Sequence, residues 1–244
     1  NLLILVLLVP LSDLSAGRLE LVLPTDNKGI FSSDPSRFYM YTDRHFEGAN
    51  SKPWTGGKYG YVRNQKRTKE GMIFTRFHEG IDIAPVKRDR SRRALDKVRA
   101  IGKGRVVHVN TLSGRSSYGR YVVVEHDWGN GPFFSLYGHL EQIDVKVGQR
   151  LPIGQSIGQM GCTGWAGSRN VERSHLHLEL NLMIHDQFPR WHDQRFADPN
   201  HHGDFNGLNL IGLDIADLYL RLRENPNLTI PEFVAEMQPY FRVA

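Results

Sequence analysis

Three short stretches of this chain carry imidazole and carboxylate at spacings suited to metal chemistry: His78-Glu79-Gly80-Ile81-Asp82, Tyr137-Gly138-His139 and His175-Leu176-His177. Successive side chains of a β-strand point to opposite faces, so residues two or four apart share one. On a strand, His78, Gly80 and Asp82 would face one way and Ile81 and Ile83 the other. His175, His177 and Glu179 would likewise line up in front of Leu176, Leu178 and Leu180, which turn into a core. Imidazole and carboxylate in front of aliphatics is how a sheet can carry a metal ion. With 11 histidines in 244 residues, any single H-x-H or H-x-x-x-D is expected by chance about once. The setting separates these from chance, because each motif sits in an apolar, β-branched or aromatic run bounded by glycine.

The elements that must position these residues are mostly strands. Segments 105–109, 120–126, 133–140 and 174–180 have strand composition, and Gly129-Asn130-Gly131 supplies turn chemistry between two of them. The tail differs. Ile215, Leu218, Tyr219 and Leu222 recur at helical spacing behind Asp214 as N-cap. Thr229 and Glu232 form a capping-box pattern, with Pro231 in the first turn of a second helix. Packing against the sheet is the expected job of both helices. Residues 18–58 show no clear periodicity and read as a strap across the sheet or a short pro-region. The apolar run 2–11 has the length of a signal-peptide core, followed by Ser15, Ala16 and Gly17. It is shorter than the roughly 20 residues of a membrane span, so residues 1–17 read as a truncated signal peptide or membrane segment. Either reading sends the protein to the cell envelope or beyond it, and leaves membrane association through this segment open.

Composition is ordinary for a globular protein, 40% hydrophobic and 23% charged, with a net charge of +5. That charge suits an anionic environment such as wall polymer, phospholipid or nucleic acid. Nucleic acid is not the expected partner, since neither a recognition helix nor an aromatic stacking platform accompanies the basic residues of 63–69 and 87–93. The one cysteine, Cys162, excludes an intrachain disulfide and reads as a buried spectator. Asp198-Pro199-Asn200-His201-His202-Gly203 lacks the donors of a calcium loop. His185, His192, His201 and His202 read as surface residues.

In order along the chain, FHEGIDIAP, GRVVHV, YGRYVVVEH, SLYGHL, VKVGQRLPIGQSIGQMGCTG and SHLHLEL resemble the lysostaphin-type (LytM-type) zinc endopeptidases, which cut peptide cross-links of bacterial peptidoglycan. Tyr59-Gly60-Tyr61-Val62-Arg63 is similar to that family's approach to its first ligand. The resemblance covers residues 59–181. It implies one zinc ion held by His78, Asp82 and His177, with His139 and His175 holding and activating the water, and leaves open which of the two is the base. Glu179 shares the histidine face, either as a partner that fixes a ring tautomer or as a solvated strand residue. The implied fold is mainly β, antiparallel sheets around a groove, with C-terminal helices. The resulting organisation is a zinc endopeptidase domain at 59–181, preceded by the strap at 18–58 and followed by a helical extension at 182–244. The implied substrate is the cross-link peptide of peptidoglycan. A non-catalytic relative that binds wall or activates a partner amidase is the alternative. Two stretches depart from the family pattern, a basic insertion at 86–93 and an extension at 165–174, and both could shape the substrate groove. A capping asparagine from the strap would be Asn27 or Asn50.

Overall fold

Tyr121-Val122-Val123-Val124 is apolar at every position, which suits a strand covered on both faces. In the computed structural model, which describes residues 19–129, 131–164 and 170–238, this run is an inner strand of a seven-stranded sheet. In chain order the strands are β1 (Arg44–Phe46), β2 (Ala49–Ser51), β3 (Val62–Thr68), β4 (Gly71–Phe77), β5 (Ile81–Ile83), β6 (Lys97–Arg99) and β7 (Gly104–Asn110). They continue as β8 (Tyr121–Asp127), β9 (Pro132–Gly138), β10 (Leu140–Ile143), β11 (Arg150–Leu151), β12 (Ser156–Met160), β13 (Leu176–Met183) and β14 (Leu210–Leu213). The large sheet runs β11-β7-β8-β9-β13-β14, with β5 pairing the first half of β13 beside β14. A smaller sheet runs β10-β12-β6, and β1-β2 and β3-β4 form two hairpins. All these pairings are antiparallel.

The strands of the large sheet divide their side chains between two apolar clusters. Val122, Val124, Phe133, Tyr137, Leu176, Leu178 and Leu180 enter the larger one, together with Ile81 and Ile83. Tyr121, Val123, Phe134 and Leu136 point the other way into a smaller cluster with Leu210. Register then fixes the polar face: His177 lies opposite both Gly138 and Asp82, Glu179 opposite Leu136, and Asn181 opposite Phe134. The strand expected over 133–140 breaks at His139, whose φ of 61° is left-handed. There the chain leaves one sheet for the other, and Leu140 opens β10.

The tail adds three helices, α1 (Phe188–Arg195), α2 (Ile215–Glu224) and α3 (Ile230–Glu236). The last two follow the expected caps. Asp214 accepts from the amides of Ala216 and Asp217, and Thr229 and Glu232 complete the capping box. Ile215, Leu218, Ile230 and Phe233 are buried in the larger cluster, as are Leu19, Ile30, Phe38 and Tyr39 of the strap. The strap extends the sheet edge, since Met40 N–H donates to Asp82 O and Ala84 N–H to Phe38 O. The expected leader at 1–17, Asn130 of the glycine turn and residues 165–169 lie outside the described residues.

Candidate metal centre

His78, Asp82 and His177 come together as a buried group of three potential ligands. Their approach differs from simple alternation in one respect. Only Ile81–Ile83 is strand; His78 precedes it in a bend, where Gly80 passes so close to β13 that a Cβ would stand 2.4 Å from Leu178 O. The turn, rather than a strand period, brings His78 over Asp82. His78 Nε2 is 3.1 Å from Asp82 Oδ1 and 3.2 Å from His177 Nδ1, and His177 Nδ1 is 2.8 Å from Asp82 Oδ1.

The outward atoms of both rings are committed. His78 Nδ1–H donates to Lys58 O at 2.8 Å, and His177 Nε2–H donates to Glu179 Oε1 at 2.7 Å. A carbonyl accepts only, so in the neutral ring the inward nitrogen of His78 is a bare lone pair. Burial would raise the pKa of Glu179, but hydrogen bonds from His177, Asn181 and Tyr118 hold it below the usual carboxylate range. His177 therefore also turns a lone pair inward whenever its ring is neutral. Three acceptors this close require positive charge between them. A proton on His177 can supply it. Burial alone would lower that ring's pKa, yet its bonds to Asp82 and Glu179 and their charges carry it up to about 9. A divalent cation is the other solution. Ligand distances of about 2.0–2.2 Å in a tetrahedron place donors roughly 3.4 Å apart. The donor set therefore fits after outward shifts of a few tenths of an ångström.

Asp82 is tied on its other side. Arg63 Nη2 donates to Asp82 Oδ2 at 3.0 Å and to Gly56 O at 2.7 Å, leaving Oδ1 for the cluster. Burial would push Asp82 up, but the charges of His78 and His175 and the bonds from His175 and His177 hold it well below the usual range.

His139 and His175 stand beside this group with ring centroids 4.6 Å apart. His139 Nδ1–H donates to Thr163 O at 2.7 Å and His175 Nδ1–H to Arg173 O at 2.6 Å, so the carbonyls fix both tautomers. His175 Nε2 lies 3.5 Å from Asp82 Oδ1. Burial, with the charges of His175 and His177, presses the pKa of His139 well below its ordinary value and keeps that ring neutral.

Residues 76–189 match the family profile described as Peptidase family M23. This stretch is a peptidase family M23 domain. Among curated relatives, the Lipoprotein NlpD/LppB homolog of Pseudomonas aeruginosa is 35% identical over 103 residues, 42% of this chain and 29% of that protein. The Murein hydrolase activator NlpD of Escherichia coli K12 is 33% identical over 118 residues, 46% of this chain and 26% of that protein. The Peptidoglycan DD-endopeptidase ShyA of Vibrio cholerae is 45% identical over 62 residues, 25% of this chain and 13% of that protein. The chain thus spans less than a third of the length of each of these relatives.

Several residues around the M23 domain's donor group escape a reading of the sequence. Tyr118 packs half-buried against Glu179 and His177, with ring centroids 5.5 Å apart in the second pair. Asn181 Nδ2 donates to Glu179 Oε2 at 2.9 Å. Asn181 continues the period-two series His177, Glu179, so the same alternation finds it. Lys58 O and Thr163 O are backbone acceptors and leave no side-chain signal. Asn27 and Asn50 do not reach the donor group: Asn27 Nδ2 bonds Arg37 O and Ala84 O, and Asn50 Oδ1 bonds His45. His192 is not a surface residue but buried, stacked on Phe196, and His202 is half-buried, bonded to Tyr121 Oη at 2.9 Å. The basic insertion is stitched to the second extension, because Arg88 donates to Val171 O and Glu172 O. Both border an open cleft of about 710 Å³ whose lining includes none of His78, Asp82, His139, His175 and His177.

Proposed function

We propose that this protein is a zinc-dependent endopeptidase of the bacterial cell envelope that hydrolyses peptide cross-links of peptidoglycan. One observation carries the reading: three lone-pair donors converge on a common point beside two histidines whose Nδ1–H groups are both spent on backbone carbonyls. In this reading His78 Nε2, Asp82 Oδ1 and His177 Nδ1 hold zinc, which when bound supplies Lewis acidity to a water and to the scissile carbonyl. Glu179 orients His177 and balances the charge of the centre, and Arg63 keeps Asp82 bound through one oxygen. His139, held neutral, accepts a proton from the attacking water at Nε2 and returns it to the leaving amine. His175, with its Nδ1–H spent on Arg173 O and its Nε2 3.5 Å from Asp82 Oδ1, turns a second imidazole lone pair towards the same water and holds it by accepting a hydrogen bond.

Similarity to the Murein hydrolase activator NlpD of Escherichia coli supports a second reading, a wall-binding protein that activates a separate murein hydrolase. The two separate cleanly. Purified protein incubated with peptidoglycan should release cross-link cleavage products, seen by mass spectrometry of muropeptides, and a chelator should stop the release. Binding without cleavage, unchanged by the chelator, would favour the activator.

A further inference from the structure

Among the described residues, β3 and β4 pair only with one another. Such a ribbon, largely exposed beyond its root, should be polar throughout. Here Met72, Ile73 and Phe74 are 42%, 47% and 38% exposed in sequence succession. Register places Met72 and Phe74 on one face with Arg67 and Gln65, and Ile73 on the other with Lys66. The apolar side chains therefore project from both faces of one strand, β4. The ribbon also carries Arg63, Lys66, Arg67, Lys69 and Arg76 against the single carboxylate of Glu70. Arg67 is paired with Glu47, and Arg63 with Asp82.

A folded protein partner covers one face of a ribbon and would leave Ile73, or Met72 and Phe74, in water. A medium that surrounds the strand edge covers both. The interfacial zone of a bilayer is such a medium: it takes apolar side chains to a depth of about 5–10 Å and offers polar headgroups to the free backbone groups of an unpaired edge. Charge selects the lipid, since basic residues beside an anionic leaflet each add roughly fivefold to partitioning. The bland account, that lysine and arginine merely blunt a sticky edge, does not explain why three large apolar residues stand exposed on that edge.

We propose that the β3–β4 ribbon is a docking arm for anionic phospholipid bilayers. It lies edge-on, with β4 lowering Met72, Ile73 and Phe74 among the headgroups and upper acyl chains while Lys66, Lys69 and Arg76 meet lipid phosphates. The root of the ribbon adjoins the metal centre through Arg63 and through Phe77, the neighbour of His78. Docking would thus set the height of that centre above the membrane. The proposal is independent of whether the centre is catalytic.

The test uses the full chain, so that any contribution of residues 1–17 is common to all variants. Phe74→Trp is mixed with vesicles of phosphatidylglycerol and phosphatidylethanolamine whose acyl chains carry bromine, and its fluorescence is compared with that of the parent protein. Quenching attributable to the new tryptophan is expected on anionic vesicles, weak on phosphatidylcholine, and reversed by high salt. Lys66→Glu with Lys69→Glu in the Phe74→Trp background should weaken it by 25-fold or more in lipid concentration, even if the protein still sediments with vesicles. Ile73→Trp provides the same readout from the opposite face. An unquenched tryptophan at both positions, equal quenching on neutral lipid, or quenching indifferent to charge reversal would each overturn the proposal. So would a loss of binding to purified wall sacculi in the charge-reversal variant without any lipid quenching.

Discussion

Glu179→Gln tests the electrostatics of the centre with little change of shape. The carboxylate lies 2.7 Å from His177 Nε2 in a fully buried setting. The amide oxygen of the variant can still accept that N–H, so the ring keeps its tautomer, but the negative charge is gone. Asn181 can accommodate the change: its Oδ1 is buried without a partner, and an amide flip turns it towards the new NH₂ group. Structure should survive while metal affinity falls by roughly 10- to 100-fold, the usual cost of losing an outer partner of a ligating histidine. The pH dependence is sharper still. A folded pKa of about 9 means that His177 in the apo protein keeps its inward proton up to that pH, and a metal must displace it. Apparent zinc affinity of the parent should therefore rise about tenfold per pH unit throughout the range below 9 and flatten above it. Without the carboxylate, the ring releases its proton at lower pH and the plateau begins earlier. Competition against a chromophoric chelator between pH 6.5 and 9.5 measures both curves, and proton losses elsewhere in the centre are common to the two proteins. Superimposable profiles would refute the assignment of Glu179 and of the His177 proton.

Other substitutions separate holding the metal from moving protons. His177→Ala should abolish wall cleavage and zinc content together, whereas His139→Ala should lower cleavage by about 10²- to 10⁴-fold and leave most of the zinc, read by elemental analysis of the purified protein. Leu178→Ala removes a fully buried side chain behind the proposed ligands; chemical denaturation should show a loss of about 2–5 kcal/mol, with zinc stoichiometry unchanged in the folded fraction. Gly57→Ala would set a Cβ 2.5 Å from Met40 O and 3.1 Å from Asp82 O, costing about 1–3 kcal/mol in stability and weakening metal binding, which a chelator titration of the folded variant would detect.

The donor residues were legible because chemistry and period coincide in β13: His177 and Glu179 turn one way, Leu176 and Leu178 the other. The tail helices were legible because caps are local, and Asp214 and Thr229 need only their own next turn to act. The rest fails for physical reasons. The ribbon β3–β4 is largely exposed, with only Arg63 and Gln65 of β3 and Phe77 of β4 partly covered, so Arg63-Asn64-Gln65-Lys66-Arg67 is polar throughout and shows no alternation to read. The sheet gains β14 from Leu210-Ile211-Gly212-Leu213, a run too short and too glycine-broken to register, whose Gly212 is needed because a Cβ would stand 1.9 Å from Glu79 O. His78 reaches Asp82 through a bend whose geometry depends on β13 crossing behind Gly80, a long-range fact that no local pattern contains.

The strap bears on how the donors are held. Each donor is fixed by an outward bond to a different part of the chain: His78 to Lys58 O, Asp82 through Arg63 to Gly56 O, His177 to Glu179 within its own strand. Two of those three anchors lie between residues 56 and 58, just ahead of the ribbon, and Met40 N–H bonds the carbonyl of Asp82 itself. A segment that only covered the sheet could slide or leave without disturbing these donor side chains. This one supplies the acceptor that chooses the tautomer of His78 and the one that anchors Arg63 on Asp82, so the donor geometry is a property of the strap and the sheet together. Docking of residues 40–58 and the orientation of the donors are therefore coupled, and a bound cation would stabilise the docked strap by whatever free energy it gains from the completed site.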